Sequence, residues 1–127
     1  MGFNSSSGGV TAEITGSVNT SGIPVPDSTQ TLICEQVTGT GANQTAYTVP
    51  ADKIFYLYAL MVNHGASWSA LLYDHSDTEI FRISRGDLGI KIVNPSIPMV
   101  KYTAAQNVRL NGTSGAEMTI MGILVDA

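Results

Sequence analysis

Cysteine is almost absent from this chain. The single Cys34 excludes an intrachain disulfide and any cysteine-rich zinc or iron–sulfur site. Charge is scarce too: Asp, Glu, Lys and Arg make up 13 % of the residues, about half of the roughly 25 % of an average globular domain. Six Lys and Arg stand against ten Asp and Glu, a net charge of −4. That balance argues against a general nucleic-acid surface, whose affinity comes from cations neutralising phosphates. Long hydrophobic runs are missing as well. The longest, residues 54–62, is nine residues, about half of what a membrane-spanning helix needs. The opening residues lack the cation and apolar stretch of a secretory signal, so none is expected. Met1, Gly2 and Ser6 fit the loose myristoylation pattern, read here as a chance match in a Ser/Gly-rich start. No window of a dozen residues shows a 3.6-residue apolar period, which argues against helices.

What remains is 127 residues and 13.4 kDa, 43 % apolar. That is one domain, large enough to bury a real core. The composition changes near residue 29. Residues 1–28 are rich in Gly, Ser, Thr, Asn and Pro, hold two acids (Glu13, Asp27), and contain no Lys or Arg; every basic residue lies from Lys53 onward. This is the composition of an extended N-terminal arm. Within it Val10, Ala12 and Ile14 alternate with Thr11, Glu13 and Thr15, a strand pattern. Residues 23–26 read as extended, because Pro24 and Pro26 fix their own φ and bias their predecessors.

Residues 29–127 read as β throughout. Strands are expected over 29–37, 45–49, 53–63, 67–73, 78–84, 89–93, 98–102, 107–110 and 117–125, divided by turn residues at spacings near ten. The strand at 53–63 is apolar on both faces and belongs in the middle of a sheet. It is expected to neighbour the long final strand. The architecture expected is an antiparallel β-sandwich, jelly-roll-like, of about eight strands.

The search for chemistry yields candidates with plain structural alternatives. His64 and His75 fall in expected turns, far from any nucleophile elbow. Cys34 alternates with Leu32 and is expected to be a small buried hydrophobe. The run Asp74, His75, Ser76, Asp77, Thr78, Glu79 gathers three carboxylates and an imidazole that could hold an ion, but these are also ordinary turn residues. Arg85, Gly86 and Asp87 spell an adhesion tripeptide in a turn, again with residues that turns use. Sequons at Asn4, Asn19, Asn43 and Asn111 are expected by chance in so hydroxyl-rich a chain. Trp68, Tyr73, Tyr56 and Tyr58 could stack on a sugar if exposed; core packing is the expectation. No catalytic residue, no metal or cofactor site and no small-molecule ligand is expected.

Residues 47–57, reading Tyr-Thr-Val-Pro-Ala-Asp-Lys-Ile-Phe-Tyr-Leu, resemble the T-V-P-A-G-K-x-F-x-L entry into a long strand of small β-sandwich virion proteins of tailed bacteriophages. Position 52 carries Asp where that pattern has Gly. The Ala70–Asp74 and Ile80–Ile83 stretches and Asn107-Val108-Arg109-Leu110 are similar to the same group, so the resemblance spans roughly residues 45–125. It implies a head decoration or cement protein on the capsid surface, with the major capsid protein and copies of itself, in threes, as partners. A tail or fibre module, possibly glycan-binding, is the alternative. No catalytic residues come with the resemblance. The low charge and long apolar strands point the same way, toward surface buried by other subunits.

Overall fold

The computed structural model describes residues 29–127 and, in backbone alone, Ser17–Val18 and Pro24–Val25. Those two short pieces, β1 (Ser17–Val18) and β2 (Pro24–Val25), pair antiparallel. The rest of the arm expected over residues 1–28, with the strand pattern at 10–15, lies outside the described residues.

Nine strands follow: β3 (Thr31–Thr38), β4 (Asn43–Thr48), β5 (Lys53–His64), β6 (Trp68–Tyr73), β7 (Glu79–Arg85), β8 (Gly89–Val93), β9 (Val100–Thr103), β10 (Asn107–Gly112) and β11 (Glu117–Asp126). No helix occurs among the described residues. The strands form two antiparallel sheets. In the larger, β3, β11 and β5 lie side by side, and the far edge of β5 is shared by β8 and β9. β8 takes residues 60–64 of β5 and β9 takes residues 54–57. The smaller sheet runs β4, β10, β6, β7. The chain therefore switches between sheets at nearly every turn, and the first and last long strands, β3 and β11, end up paired. This is the strand order of a jelly roll, with one of its eight positions divided between two short strands.

The core forms where the inner faces meet. β6 shows the simplest case: Trp68, Ala70 and Leu72 face inward and are buried, while the residues between them are not. β5 is more complicated. Its pairing with β11 slips between Met121 and Gly122, opposite Tyr58, so Leu57 and Leu60 both reach the core although they are three residues apart. Each fully buried leucine here contributes about 2–3 kcal/mol. Phe55, Leu57, Leu60, Val62, Leu72, Leu110, Met118 and Ile120 fill the centre, and Tyr47, Phe55 and Tyr102 stack in series with centroids 5.1 and 6.4 Å apart.

Two hydrogen bonds tie the sheets together across this core, and both involve the ends of β6. The Trp68 indole Nε1–H donates to the Gly89 carbonyl on β8 at 3.1 Å. The Tyr102 hydroxyl on β9 donates to the Tyr73 carbonyl at 2.9 Å, and burial pushes the Tyr102 phenol far up from its ordinary pKa. Each half of the divided edge is thus anchored to the opposite sheet.

Asp52 has an unusual backbone. It sits at φ 61° in the turn before β5, a left-handed conformation that suits Gly and is tolerated by Asp.

Candidate functional site

The side chains that could carry chemistry are already engaged or apart. In the turn between β6 and β7, Asp74 Oδ1 accepts from the backbone N–H of Ser76 at 2.8 Å and of Thr78 at 2.9 Å. The Thr78 and Ser76 amides hold its carboxyl below the usual range. Asp77 Oδ1 accepts from Arg109 Nε at 2.9 Å, and that guanidinium holds the Asp77 carboxyl low as well. Glu79 pairs with Arg82. The three carboxylates thus serve the turn and its cations, and no group of three metal-ligating side chains converges among the described residues. In the tripeptide, Arg85 and Asp87 pair with each other at 3.1 Å. His64 ends β5, opposite Gly89; His75 is exposed in the β6–β7 turn of the other sheet. Trp68 is only 3 % exposed, so it offers no stacking platform, and Tyr73 is half-buried.

Two expectations need correction. Cys34 is exposed, not buried, and its neighbour in phase, Leu32, is 50 % exposed. The inward residues of β3 are Ile33 and Val37. Leu32, Ile33 and Cys34 are all compatible with burial, so the alternation could be read in either phase, and a one-residue slip exchanges the faces. Tyr56 and Tyr58 likewise lie outside the core cluster, half-buried on the other side of β5. Burial pushes the Tyr58 phenol up, and the adjacent Tyr56 adds to the shift.

These corrections locate the most unusual surface of the molecule. Directly opposite residues in an antiparallel ladder point to the same face. One row across the larger sheet reads Leu32, Ile123, Tyr56, Lys101. The next reads Cys34, Met121, Ala59. A third reads Gln36, Thr119, Met61, Ile92, and a fourth Thr38, Glu117, Asn63, Ile90. Leu32, Ile123, Tyr56, Cys34, Met121, Ala59, Met61, Ile92 and Ile90 thus place a broad apolar area on the face turned away from the core. Its centre is tight, with Ala59 and Ile123 buried although neither belongs to the core cluster. Its β8 rim is open: Ile92 is 58 % exposed, and Leu88 and Ile97, in the segments flanking β8, are 65 % and 69 % exposed. Lys101 and Glu117 are the only charges in these rows.

The smaller sheet presents the opposite character. Asn111 Nδ2–H donates to Asn43 Oδ1 at 2.8 Å, and the Thr48 hydroxyl to Asn107 Oδ1 at 2.7 Å. Arg109 Nη1–H donates to Thr45 Oγ1 at 2.8 Å while its Nε serves Asp77. A polar lattice covers the β4–β10 half of that outer face, with Leu71 and Tyr73 of β6 beside it, and the sequons at Asn43 and Asn111 are part of it.

The strand order defines a jelly-roll sandwich on its own evidence. No family model matches the chain, and no curated protein does. Among solved structures, the chain is similar at a TM-score of 0.47 to a subunit of the disulfide-linked pili of Bacillus endospore appendages, 16 % identical over 76 % of this chain and 86 % of that one. It is similar at 0.49 to the nucleoplasmin-like N-terminal domain of Drosophila FKBP39, 10 % identical over 79 % and 93 %. A chain of the cyanophage Pam1 capsid asymmetric unit scores 0.47, 9 % identical over 98 % and 97 %. A pilus, a nucleoplasmin-like domain and a capsid are unlike in role, and likenesses this distant assign none of them to the present chain.

Proposed function

We propose that the chain is a structural protein of a bacteriophage virion: a decoration or cement subunit that binds the outside of the head through the outer face of the larger sheet. One observation carries the reading. A small domain keeps a second apolar face, with Ile90, Ile92, Met61, Met121 and Leu32 at its rim and centre, while the β4–β10 half of its other outer face is tied by polar side chains. Apolar surface of that kind marks an interface. The resemblance of residues 47–57 to phage β-sandwich proteins supports the same reading.

Binding, rather than turnover, is the work of such a subunit. Cys34 lies on β3, His64 at the end of β5 and His75 in the β6–β7 turn. Copies gathered in threes on the major capsid protein would close the apolar faces by symmetry. Stabilisation then follows by linkage: a subunit that binds only the assembled shell shifts the equilibrium toward it. The test compares virions of the phage that encodes the chain with virions lacking its gene. The reading expects many copies per head, and release of DNA at a lower temperature when the chain is missing. A chain confined to the tail, with head stability unchanged, would overturn it.

A further inference from the structure

The apolar rows on the outer face of the larger sheet hold two charges of opposite sign. Lys101 ends the row of Leu32, Ile123 and Tyr56, and Glu117 stands in the row of Thr38, Asn63 and Ile90. Both are exposed. The four ion pairs among the described residues are made by other side chains. Lys101 lies two strands from Glu117, and β11 advances six residues, from Ile123 to Glu117, between their rows. With strands about 4.8 Å apart and about 3.4 Å for each residue, the two charges are about 22 Å apart. That exceeds the screening length of about 8–10 Å, so within one copy they do not serve each other.

A second copy satisfies both. Two like faces meet about a two-fold axis lying in the plane between them, and the contact closes at two. The axis that brings each Lys101 over Glu117 of the other copy crosses the midpoint between these side chains, perpendicular to the line joining them. On a sheet laid flat with those spacings, the midpoint falls between Ala59 and Met61. The axis then passes close to Ile92, Met121 and Cys34, so each of them meets its own counterpart. The charges alone fix this axis, yet it sets apolar residues against apolar residues along its length.

We propose that two copies of this chain pair through the outer faces of their larger sheets, with Lys101 of each against Glu117 of the other and Cys34 against Cys34. Leu32 and Ile92, half or more exposed in the single chain, become covered. The rows span about 20 Å along the strands and about 14 Å across them, about 300 Å² for each copy, against about 800 Å² in an ordinary stable interface. The pair is therefore weak, monomeric at low micromolar concentration and dimeric at hundreds of micromolar. The inference rests on the proposed function in one respect: the face that the second copy covers is the one assigned to the head. Dimer and docked subunit then exclude each other, and self-pairing holds back docking where the free chain is abundant.

The test is sedimentation of the full chain over a concentration series. The chain should pass from monomer to dimer and stop there. Lys101→Glu sets like charges together twice and should weaken the dimer about tenfold or more. Lys101→Glu with Glu117→Lys exchanges the two charges and should restore it. A short bis-maleimide should join Cys34 to Cys34, because facing sheets lie about 10 Å apart. A thiol moved along β3, in Cys34→Ser with Thr38→Cys, lies more than about 20 Å from its counterpart and should stay unjoined. A monomer at every concentration, assembly beyond two copies, no rescue by the exchanged charges, or equal joining at the two positions would each overturn the proposal. Docking is read separately, as occupancy of particles by the unaltered chain, so self-pairing and head binding can fail independently.

Discussion

The two sheets of this sandwich share one core and differ in what they turn away from it. The smaller sheet lines the β4–β10 half of its outer face with Asn43, Thr45, Thr48, Asn107, Arg109 and Asn111, joined side chain to side chain. The larger sheet turns out Tyr56, Met61, Ile90, Ile92 and Met121. Polar groups that satisfy each other have little to gain from a partner, whereas exposed aliphatic surface gains about 25 cal/mol for each Å² removed from water. On the proposed function, that difference assigns fold stability to the shared interior and attachment to one exterior face.

The sharpest way to break this comparison is to exchange the characters of the two faces. Met61→Glu with Ile92→Glu should leave the sandwich folded and reduce occupancy on particles at least about tenfold, because charges would enter a surface that docking dehydrates. The matching change on the smaller sheet, Asn43→Ala with Asn111→Ala, should leave occupancy unchanged. Quantitative mass spectrometry of purified particles measures both. Equal losses would abolish the distinction between the faces.

The next effect separates the interior from either exterior. A side chain at Gly122 would collide with the Tyr56 carbonyl oxygen and the Phe55 ring. Gly122→Val should therefore cost about 3 kcal/mol or more, read as a shift in a denaturant midpoint. Smaller is the loss of a tie between sheets. Tyr102→Phe removes the donor to the Tyr73 carbonyl and should cost about 1 kcal/mol, with the divided edge loosening in backbone exchange before the centre of β11.

Acid should act unevenly as well. The Asp74 and Asp77 carboxyls are held below their ordinary range in the folded chain, by turn amides and by Arg109 respectively. A depressed folded pKa contributes stability that is present above the unfolded value, near about 4, and disappears as pH falls through the folded one. Lowering the pH from 7 to 3 should open the β6–β7 turn and the Arg109 contact first, and leave the rows around Met61 and Met121 protected, as followed by amide exchange across a pH series. The smallest change is a gain: Asp52→Gly relieves the left-handed turn at φ 61° and should raise stability by about 0.5–1 kcal/mol, visible in thermal unfolding.

Much of the fold was legible in the sequence because most strands carry one readable period. Trp68, Ala70 and Leu72 alternate with Ser69, Leu71 and Tyr73, and Trp68 lies in the core as expected. Strand limits agreed to within about two residues, as at Gly89–Val93 and Glu117–Asp126. The candidate site was not legible, for the reason that makes it a site. Where both faces are apolar, alternation carries no phase, so Leu32 and Cys34 were read as interior and Tyr56 and Tyr58 as core. The slip opposite Tyr58 has no local signature in a run of nine apolar residues. The exposed isoleucines of β8 follow only from its place at an edge, which is a property of topology.

Radical footprinting of intact particles against the purified chain tests the central claim most directly, because Met61 and Met121 report on the outer face of the larger sheet and are half-buried in the free subunit. Oxidation of both methionines several-fold slower on the particle, with Leu71 and Tyr73 on the smaller sheet unchanged, is the result expected. Equal oxidation of Met61 and Met121 in the two states, or protection confined to Leu71 and Tyr73, would contradict docking through the larger sheet.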